Sequence, residues 1–572
     1  MPPSSSPPAE RRRQLEGSFP VWRPATLAEH FDSAAARYPD RPLIIVDDRS
    51  YSYREVTEWS RRLAAGLIAS GVRAGGQVAI LLTNLPELVA VRLAVARIGA
   101  VAVPVNFLLR RTELAYVLEQ SDSIALITLS QFRDIDYLDE LDAIAPGWAQ
   151  RGGGERLPAL RQVFIHATEG SCRDAASLES LEQRATAASF GELAAREAVC
   201  RPDGCSDIIY TSGTTGRSKG VMLTHDMVLR TAYASAYTRA FEDGRRILFA
   251  LPMYHVFGYV ECLLACTFVG GAIVPQVNFG AEQMLSAAEQ HRATEIVCVP
   301  TMTLKLIELA RTRGFDGRLI CFFNSGGFCP PTIWDEIDTL FKPREIVTAY
   351  GMTETTASTT CTLPEDGRDR LLTTNGRLKP AGSAGDPALG GVLAIYKSAD
   401  PVTGEDLAAG APGELLVRGP IVTPGYYKKP EETRAAFSGE WLRTGDFGSL
   451  SADGYLTLLG RIKEAYRCGG EMVIPLEIEE LIGQHPLVAQ VYAVGIPDPK
   501  MGEVGCLCVV PAANGKPQPQ ELIALCTTRL ARFKVPRHVI FLEAGEIPTT
   551  ATGRPQKFKL VELAVRRLAI NA

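Results

Sequence analysis

The chain has 572 residues, 46% of them apolar, and a formal charge of −5. That length exceeds what one hydrophobic core supports, so more than one domain is expected. The mildly acidic balance excludes a nucleic-acid footprint, and no apolar run is long enough to cross a bilayer.

In chain order, residues 1–20 come first. The segment MPPSSSPPAERRRQ is polar and Pro-rich and lacks an apolar signal region, so 1–20 reads as a disordered tail. Residues 27–38 have a helical apolar period, and 41–46 (RPLIIV) read as a short buried strand. Residues 53–71 form a helical pattern ending at Gly71, 77–82 (QVAILL) a second buried strand, and 86–100 a further helix. Strands alternating with helices imply a parallel sheet and an α/β class. Residues 146–202 read as surface connection around one strand, QVFIHA. The alternation resumes at 206–210 (SDIIY) and runs to about 350. From 380 to 460 short strands separated by Gly and Pro turns suggest a β-rich subdomain. Beyond Gly460 lies a smaller α+β unit with strands VAQVYAVG and GCLCVVP. The expected organisation is a large α/β domain with its β-rich part over 21–460, a hinge at 461–464, and a small mobile domain over 465–572.

Thirteen cysteines are scattered between Cys172 and Cys526 without paired CxxC clusters. Their odd number reads as reduced thiols in a cytoplasm, and Cys506 and Cys508 alternate along an apolar strand. Arginine outnumbers lysine 47 to 13, and the first lysine is Lys219. A lysine here is therefore an uncommon choice.

The segment Tyr210-Thr211-Ser212-Gly213-Thr214-Thr215-Gly216-Arg217-Ser218-Lys219-Gly220 carries the strongest chemical signal. It follows an apolar strand and precedes a helical run from about Thr224. Its glycines let backbone N–H groups turn inward as an anion nest. The hydroxyls of Ser212, Thr214 and Thr215 add donors, and Lys219 adds a point charge suited to phosphate. The spacing differs from GxxxxGK[ST], which disfavours a P-loop NTPase.

This segment resembles the phosphate loop of the adenylate-forming (ANL) superfamily, which includes acyl-CoA synthetases, luciferases and nonribosomal adenylation domains. Three further motifs recur in that family's order: Tyr350-Gly351-Met352-Thr353-Glu354, Arg443-Thr444-Gly445-Asp446, and Gly460-Arg461-Ile462-Lys463-Glu464 followed by Gly469-Gly470-Glu471. The resemblance covers about residues 25–565. It implies that Tyr350 stacks on adenine with Gly326 and Gly327 lining the other face, and that Thr353 bonds the α-phosphate. It also implies that Glu354 holds Mg²⁺, a hard cation suited to carboxylate and phosphate oxygens. Asp446 and Arg461 would take the ribose hydroxyls. The segment 251–258 (LPMYHVFG) resembles the acyl-pocket motif, with His255 bordering the substrate carboxylate and Phe257, Gly258 and Gly351 nearby. A structural histidine at a strand end is the competing reading. Lys463 matches the hinge, about which the small domain would alternate between adenylation and thioester formation. The Gly469-Gly470 segment would line the CoA tunnel as a β-like pair.

One position departs from the family. The last motif normally ends in Gly-Lys, but this chain has Pro548-Thr549-Thr550-Ala551-Thr552-Gly553-Arg554. The implied catalytic lysine of adenylation is Arg554. Lysine is a compact point charge and arginine a wide planar fork. Weak or absent adenylation is therefore expected, with thioester formation from acyl-AMP and CoA retained. Lys557 stands where the family often carries a second basic residue. A separate adenylating ligase would then supply the acyl-AMP, as in the acyl-CoA ligases of platensimycin-type diterpenoid pathways, which this chain resembles more weakly. That points to a bulky terpenoid acid, with fatty and aromatic acids still open. The alternatives are a complete ATP-dependent ligase, a domain that loads a carrier protein, and a binder of acyl-adenylate without turnover. Homodimers occur in the family.

Overall fold

The computed structural model describes residues 6–168, 172–211, 217–327, 329, 331–513, 515–549 and 555–568. The strand–helix alternation of the first 350 residues builds two seven-stranded sheets. In the first, the strands Glu345–Val347, Cys321–Asn324, Glu295–Cys298, Arg246–Phe249, Ala272–Pro275 and Pro42–Val46 run parallel, and Arg49–Ser52 closes the edge antiparallel. The second contains Cys205–Thr211, Val101–Pro104, Gln77–Leu81, Ser123–Leu129 and Gln162–His166, also parallel. One continuous apolar core joins both sheets and the helices Leu27–Arg37, Tyr53–Ala69 and Pro86–Arg97. The first two of these helices start at capping boxes, Thr26 with Glu29 and Ser52 with Glu55.

Residues 395–461 form a five-stranded, mainly antiparallel sheet with its own small core. After the 3₁₀ turn Ile462–Glu464, a third core gathers around the strands Val488–Asp498 and Gly502–Pro511 and the helices Pro475–Ile482, Pro519–Arg529 and Lys557–Arg567. The architecture is thus mixed α/β, with a large N-terminal and a smaller C-terminal domain. No helix among the described residues is long and apolar enough to cross a membrane.

Two sequence expectations need correction. Residues 8–18 are not a flexible tail but an α-helix, Pro8–Ser18, with Pro7 at its N-cap and buried Arg11 and Leu15. The span 146–202 holds helices Leu178–Gln183 and Ala187–Val199 besides its strand, each started by a capping hydroxyl, Ser177 or Thr186. The helix expected from about Thr224 is present, with one strand between it and Tyr210-Thr211. A strand, Lys219–Thr224, first returns antiparallel along Cys205–Thr211, and Thr224 then caps the helix His225–Thr238.

The terminal helix is held by charge. Arg11 pairs with Glu345 and lies 3.7 Å from Glu242. Arg245 meets Glu242 at 2.7 Å and Glu295 at 2.9 Å. Arg239 pairs with Glu295 and approaches Glu261 at 3.5 Å, and Lys379 lies 3.5 Å from Glu261. The result is an alternating line, Glu345–Arg11–Glu242–Arg245–Glu295–Arg239–Glu261–Lys379, with no member more than 8% exposed. Removing one partner of a buried pair strands the other in a poor solvent. Arg11→Met is expected to cost about 3–5 kcal/mol, read as a lowered unfolding temperature. Arg13→Met, on the exposed side of the same helix, serves as the near-neutral control. Equal loss in both variants would contradict the charge ladder.

Candidate functional site

Lys219 begins the returning strand directly opposite Thr211, so the ends of the phosphate loop are fixed by sheet register. Ser212, Gly213, Thr214, Thr215 and Gly216 lie outside the described residues, as does Arg554. The helix Arg111–Gln120 braces the described residues on either side of the loop, Tyr210 and Ser218. Tyr116 donates from its hydroxyl to the Ser218 carbonyl at 3.0 Å, and Gln120 bonds both the Tyr210 hydroxyl and the Tyr427 carbonyl.

Glu354 stands in a 3₁₀ turn, Thr353–Thr355, at the end of the strand Ala349–Met352. Its carboxylate accepts the Tyr426 hydroxyl at 3.0 Å, and its carbonyl accepts the Thr423 N–H at 2.8 Å. The Lys219 ammonium lies 4.1 Å from the centroid of the same Tyr426 ring. One tyrosine thus faces a cation with its ring and an anion with its hydroxyl. Burial raises the Glu354 carboxyl above the usual range, partly offset by the Tyr426 hydrogen bond and Lys219. Burial lowers the Lys219 ammonium, Glu354 opposes that shift, and the nearby charge of Lys463 adds to it. Backbone strain is stored just beyond: Thr356 and Ala357 have φ of 64° and 133°. The Thr356 hydroxyl, donating to the Ile421 carbonyl at 2.7 Å, holds the bend.

Tyr350, on the same strand, donates to Asp446 Oδ2 at 2.6 Å. Asp446 pairs in register with Arg461 on the neighbouring strand, and their side chains meet at 2.9 Å. That ion pair runs from Arg461 Nε to Asp446 Oδ1, while Oδ2 takes the Tyr350 hydroxyl, so the buried carboxylate is held at both oxygens. Gly351 admits no side chain, since a Cβ there would sit 1.9 Å from the Ala357 carbonyl oxygen. Gly326, at φ of 93°, and Gly327 follow the strand Cys321–Asn324. A Cβ on Gly326 would touch Val299 at 3.2 Å and Phe257 at 3.9 Å. Phe257 packs edge-on against Phe323 with centroids 5.3 Å apart, so this wall is apolar and aromatic.

His255 lies at the head of that wall. The Phe257 N–H donates to His255 Nδ1 at 3.2 Å, which leaves Nε2 as the protonated nitrogen. Burial pushes its pKa down to about 4, so the ring is a neutral hydrogen-bond donor at physiological pH. Two buried polar side chains that sequence reasoning missed fix this segment. Asn84, just past a strand of the second sheet, accepts from the Met253 N–H at 2.8 Å and donates to the Leu251 carbonyl at 2.9 Å. Arg92 donates to the Met253 carbonyl at 2.8 Å, pairs with Asp207, and lies over the Tyr259 ring. Gly258 closes the bend where a Cβ would come within 2.7 Å of the Pro252 carbonyl oxygen. The segment therefore bridges the carboxyl ends of strands from both sheets, where α/β folds place ligands.

Lys463 sits exposed in the 3₁₀ turn between the domains, close enough to Lys219 for its charge to be felt. Gly469 and Gly470 are not a β-like pair. They have φ of 62° and 92° and form the exposed turn of a hairpin between Tyr466–Cys468 and Glu471–Val473. Lys557 is committed elsewhere, 2.7 Å from Glu479 and 3.4 Å from Glu464. Tyr426 is the other residue missed, since Pro424-Gly425-Tyr426-Tyr427 reads from sequence only as a turn.

Removing the Tyr426 hydroxyl tests the paired-charge arrangement. Tyr426→Phe keeps the ring beneath Lys219 and is expected to slow thioester formation from a synthetic acyl-adenylate and CoA about tenfold. Tyr426→Leu, which also removes the ring, is expected to slow it further. Equal rates in the phenylalanine variant and the parent would show that the hydrogen bond is idle.

Comparison with known proteins gives the context. The family described as AMP-binding enzyme matches residues 31–427, and its C-terminal domain matches residues 477–554. A 3-[(3aS,4S,7aS)-7a-methyl-1,5-dioxo-octahydro-1H-inden-4-yl]propanoyl:CoA ligase of Mycobacterium tuberculosis is 32% identical over 94% of this chain and 99% of that protein. The mitochondrial medium-chain acyl-CoA ligase ACSF2 of Danio rerio is 30% identical over 96% of this chain and 89% of that protein. The crystal structure of the anthranilate CoA ligase AuaEII with anthranoyl-AMP superposes with a TM-score of 0.82 at 23% identity, covering 97% and 100% of the two chains, and so shares the fold. With more than half of its length matched and with relatives of 30% and 32% identity matched over nearly the whole chain, it belongs to the AMP-binding enzymes of the ANL superfamily, among the acyl-CoA synthetases.

Proposed function

We propose that this acid–thiol ligase forms an acyl-CoA thioester from an acyl-adenylate and CoA, and that its own adenylation step is impaired. The observation that carries the second half is Arg554 where the family's motif has lysine. Lys557 is a poor substitute, because it is nearly buried between Glu479 and Glu464 and their carboxylates hold its ammonium above the usual lysine range against the cost of burial. Adenylation needs a cation between the attacking carboxylate and the α-phosphate, and a misplacement near 1 Å can cost about 10²-fold.

The thioester step draws on the residues brought together above. The CoA sulfur bonds to the acyl carbon, the mixed anhydride C–O bond breaks, and AMP leaves with that electron pair as the thiol proton is lost to solvent. Lys219 and the phosphate loop stabilise the charge on departing AMP. Neutral His255 offers its Nε2–H to the acyl oxygen. Tyr350, Asp446 and Arg461 hold the nucleoside, with Thr353 at the α-phosphate. The Gly469-Gly470 turn offers a surface without side chains to the pantetheine arm. Lys463 is the pivot about which the C-terminal domain changes pose.

If ATP is used, Glu354 would hold Mg²⁺. The fit is a single hard carboxylate, buried beside Lys219 and oriented by Tyr426, since the described residues contain no cluster of three acidic, His or Cys ligands. The ion would be shared with phosphate oxygens and would offset their charge. The acyl wall of Phe257, Phe323 and Val299 suits an apolar acid, in keeping with the propanoyl-indane and medium-chain names of two relatives and with a terpenoid acid. A cytoplasmic setting fits the thirteen unpaired cysteines, and a separate adenylating ligase would supply the acyl-AMP.

The second reading, a complete ATP-dependent ligase, is favoured by the retained Glu354 and Lys219 arrangement. The two separate cleanly. Parent enzyme is expected to convert acyl-AMP plus CoA but not acid plus ATP plus CoA, and Arg554→Lys to gain the ATP-dependent reaction. Robust ATP–pyrophosphate exchange by the parent enzyme would overturn impaired adenylation and leave the complete ligase.

A further inference from the structure

The ladder of buried charges ends beneath the site. Its last carboxylate, Glu261, is 1% exposed and has no part in the chemistry above. It lies on a π-helix, Phe257–Leu264, whose first two residues belong to the acyl wall. The Ala265 N–H reaches back to the Val260 carbonyl, the wide turn that marks such a helix, and π segments recur at functional sites. Arg239 donates to the backbone carbonyl of Glu261 and sets its guanidinium 3.5 Å from the carboxylate.

The other carboxylate oxygen reaches across to the nucleotide side. Glu261 Oε1 accepts the Ser358 N–H at 3.0 Å and the Ser358 hydroxyl. Ser358 faces Gly351 directly across the strand pair that carries Tyr350. Lys379 completes the cluster, 3.5 Å from Glu261, donating to Ser358 Oγ at 2.9 Å and also to Ser235. Burial disfavours the charged carboxylate, but Lys379 and Arg239 together hold it below its ordinary range.

Stability alone does not account for such a cluster, because a buried ion pair is often no better than an apolar pair of the same volume. What it supplies is geometry: one carboxylate ties the acyl-binding helix to the strand opposite Gly351. We infer that Glu261 is a positioning residue, which fixes the spacing between acyl and nucleotide subsites so that both halves of an acyl-adenylate are held at once. The inference rests on the proposed assignment of the His255–Gly258 segment to the acyl group.

A loosened link should weaken binding of the joined molecule and spare AMP. The probes are AMP and a decanoyl-sulfamoyl-adenosine, a non-hydrolysable acyl-adenylate analogue, with Kd for each measured by calorimetry. The variant Glu261→Gln/Lys379→Met removes one anion and one cation together, leaving Glu345, Glu242 and Glu295 balanced by Arg11, Arg245 and Arg239. Its preference for the analogue over AMP is expected to fall about tenfold, and that of Ser358→Ala about threefold, with AMP affinity within about twofold of the parent. Unfolding temperatures measured alongside separate this loss from general destabilisation. Should the double variant fail to fold, Ser358→Ala decides alone, since it leaves every charge in place. An unchanged preference, or parallel loss of both affinities, overturns the positioning role while leaving the site assignment intact. A parent enzyme that binds the analogue no better than AMP would instead overturn the acyl-site assignment, and the inference with it.

Discussion

Eight buried charges in one alternating line constrain the large domain more than any apolar contact does. The line starts on the N-terminal helix at Arg11, crosses the first sheet through Glu345 and Glu295, and ends where Glu261 and Lys379 meet Ser358. Each charge is tolerable only because the next neutralises it, so the elements bearing them have one mutual arrangement. That arrangement sets the helix Phe257–Leu264 against the strand pair that carries Tyr350 and leads into the Glu354 turn. Asn84 and Arg92 apply the same device on the other side, joining the second sheet to the backbone around Met253.

The site itself uses charge differently. Lys219 and Glu354 share Tyr426, the ammonium over its ring and the carboxylate on its hydroxyl. Asp446, held by Tyr350 and Arg461, and the neutral His255, fixed by the Phe257 N–H, are likewise polar groups set in place by their neighbours. Rigid placement in a low-dielectric pocket is the form of electrostatic help that costs no reorganisation during reaction.

Much of this was legible in the sequence, for reasons that are local. Strands such as QVAIL and helices such as Tyr53–Ala69 announce themselves by periodicity and caps. The missing parts are those that depend on distant partners. Arg11 lies in a polar, Pro-flanked segment, and only Glu345, 334 residues away, makes it a buried anchor. Arg92, Arg97, Arg239 and Arg245 interrupt apolar patterns, and all are buried against carboxylates that lie elsewhere in the sequence. Gly469 and Gly470 were legible as glycines but not as a left-handed turn, because glycine permits both conformations.

In the C-terminal domain Lys557, at the start of the last helix, clasps Glu479 and Glu464, which ties that helix to the 3₁₀ turn Ile462–Glu464. The whole account depends on the nucleotide seat formed by Tyr350, Asp446 and the phosphate loop. The most direct test is a crystal structure of the enzyme with an acyl-sulfamoyl-adenosine. The account predicts adenine against Tyr350, a ribose hydroxyl at the Asp446–Arg461 pair and the sulfamoyl group beside Lys219. An analogue bound elsewhere on the chain would contradict it.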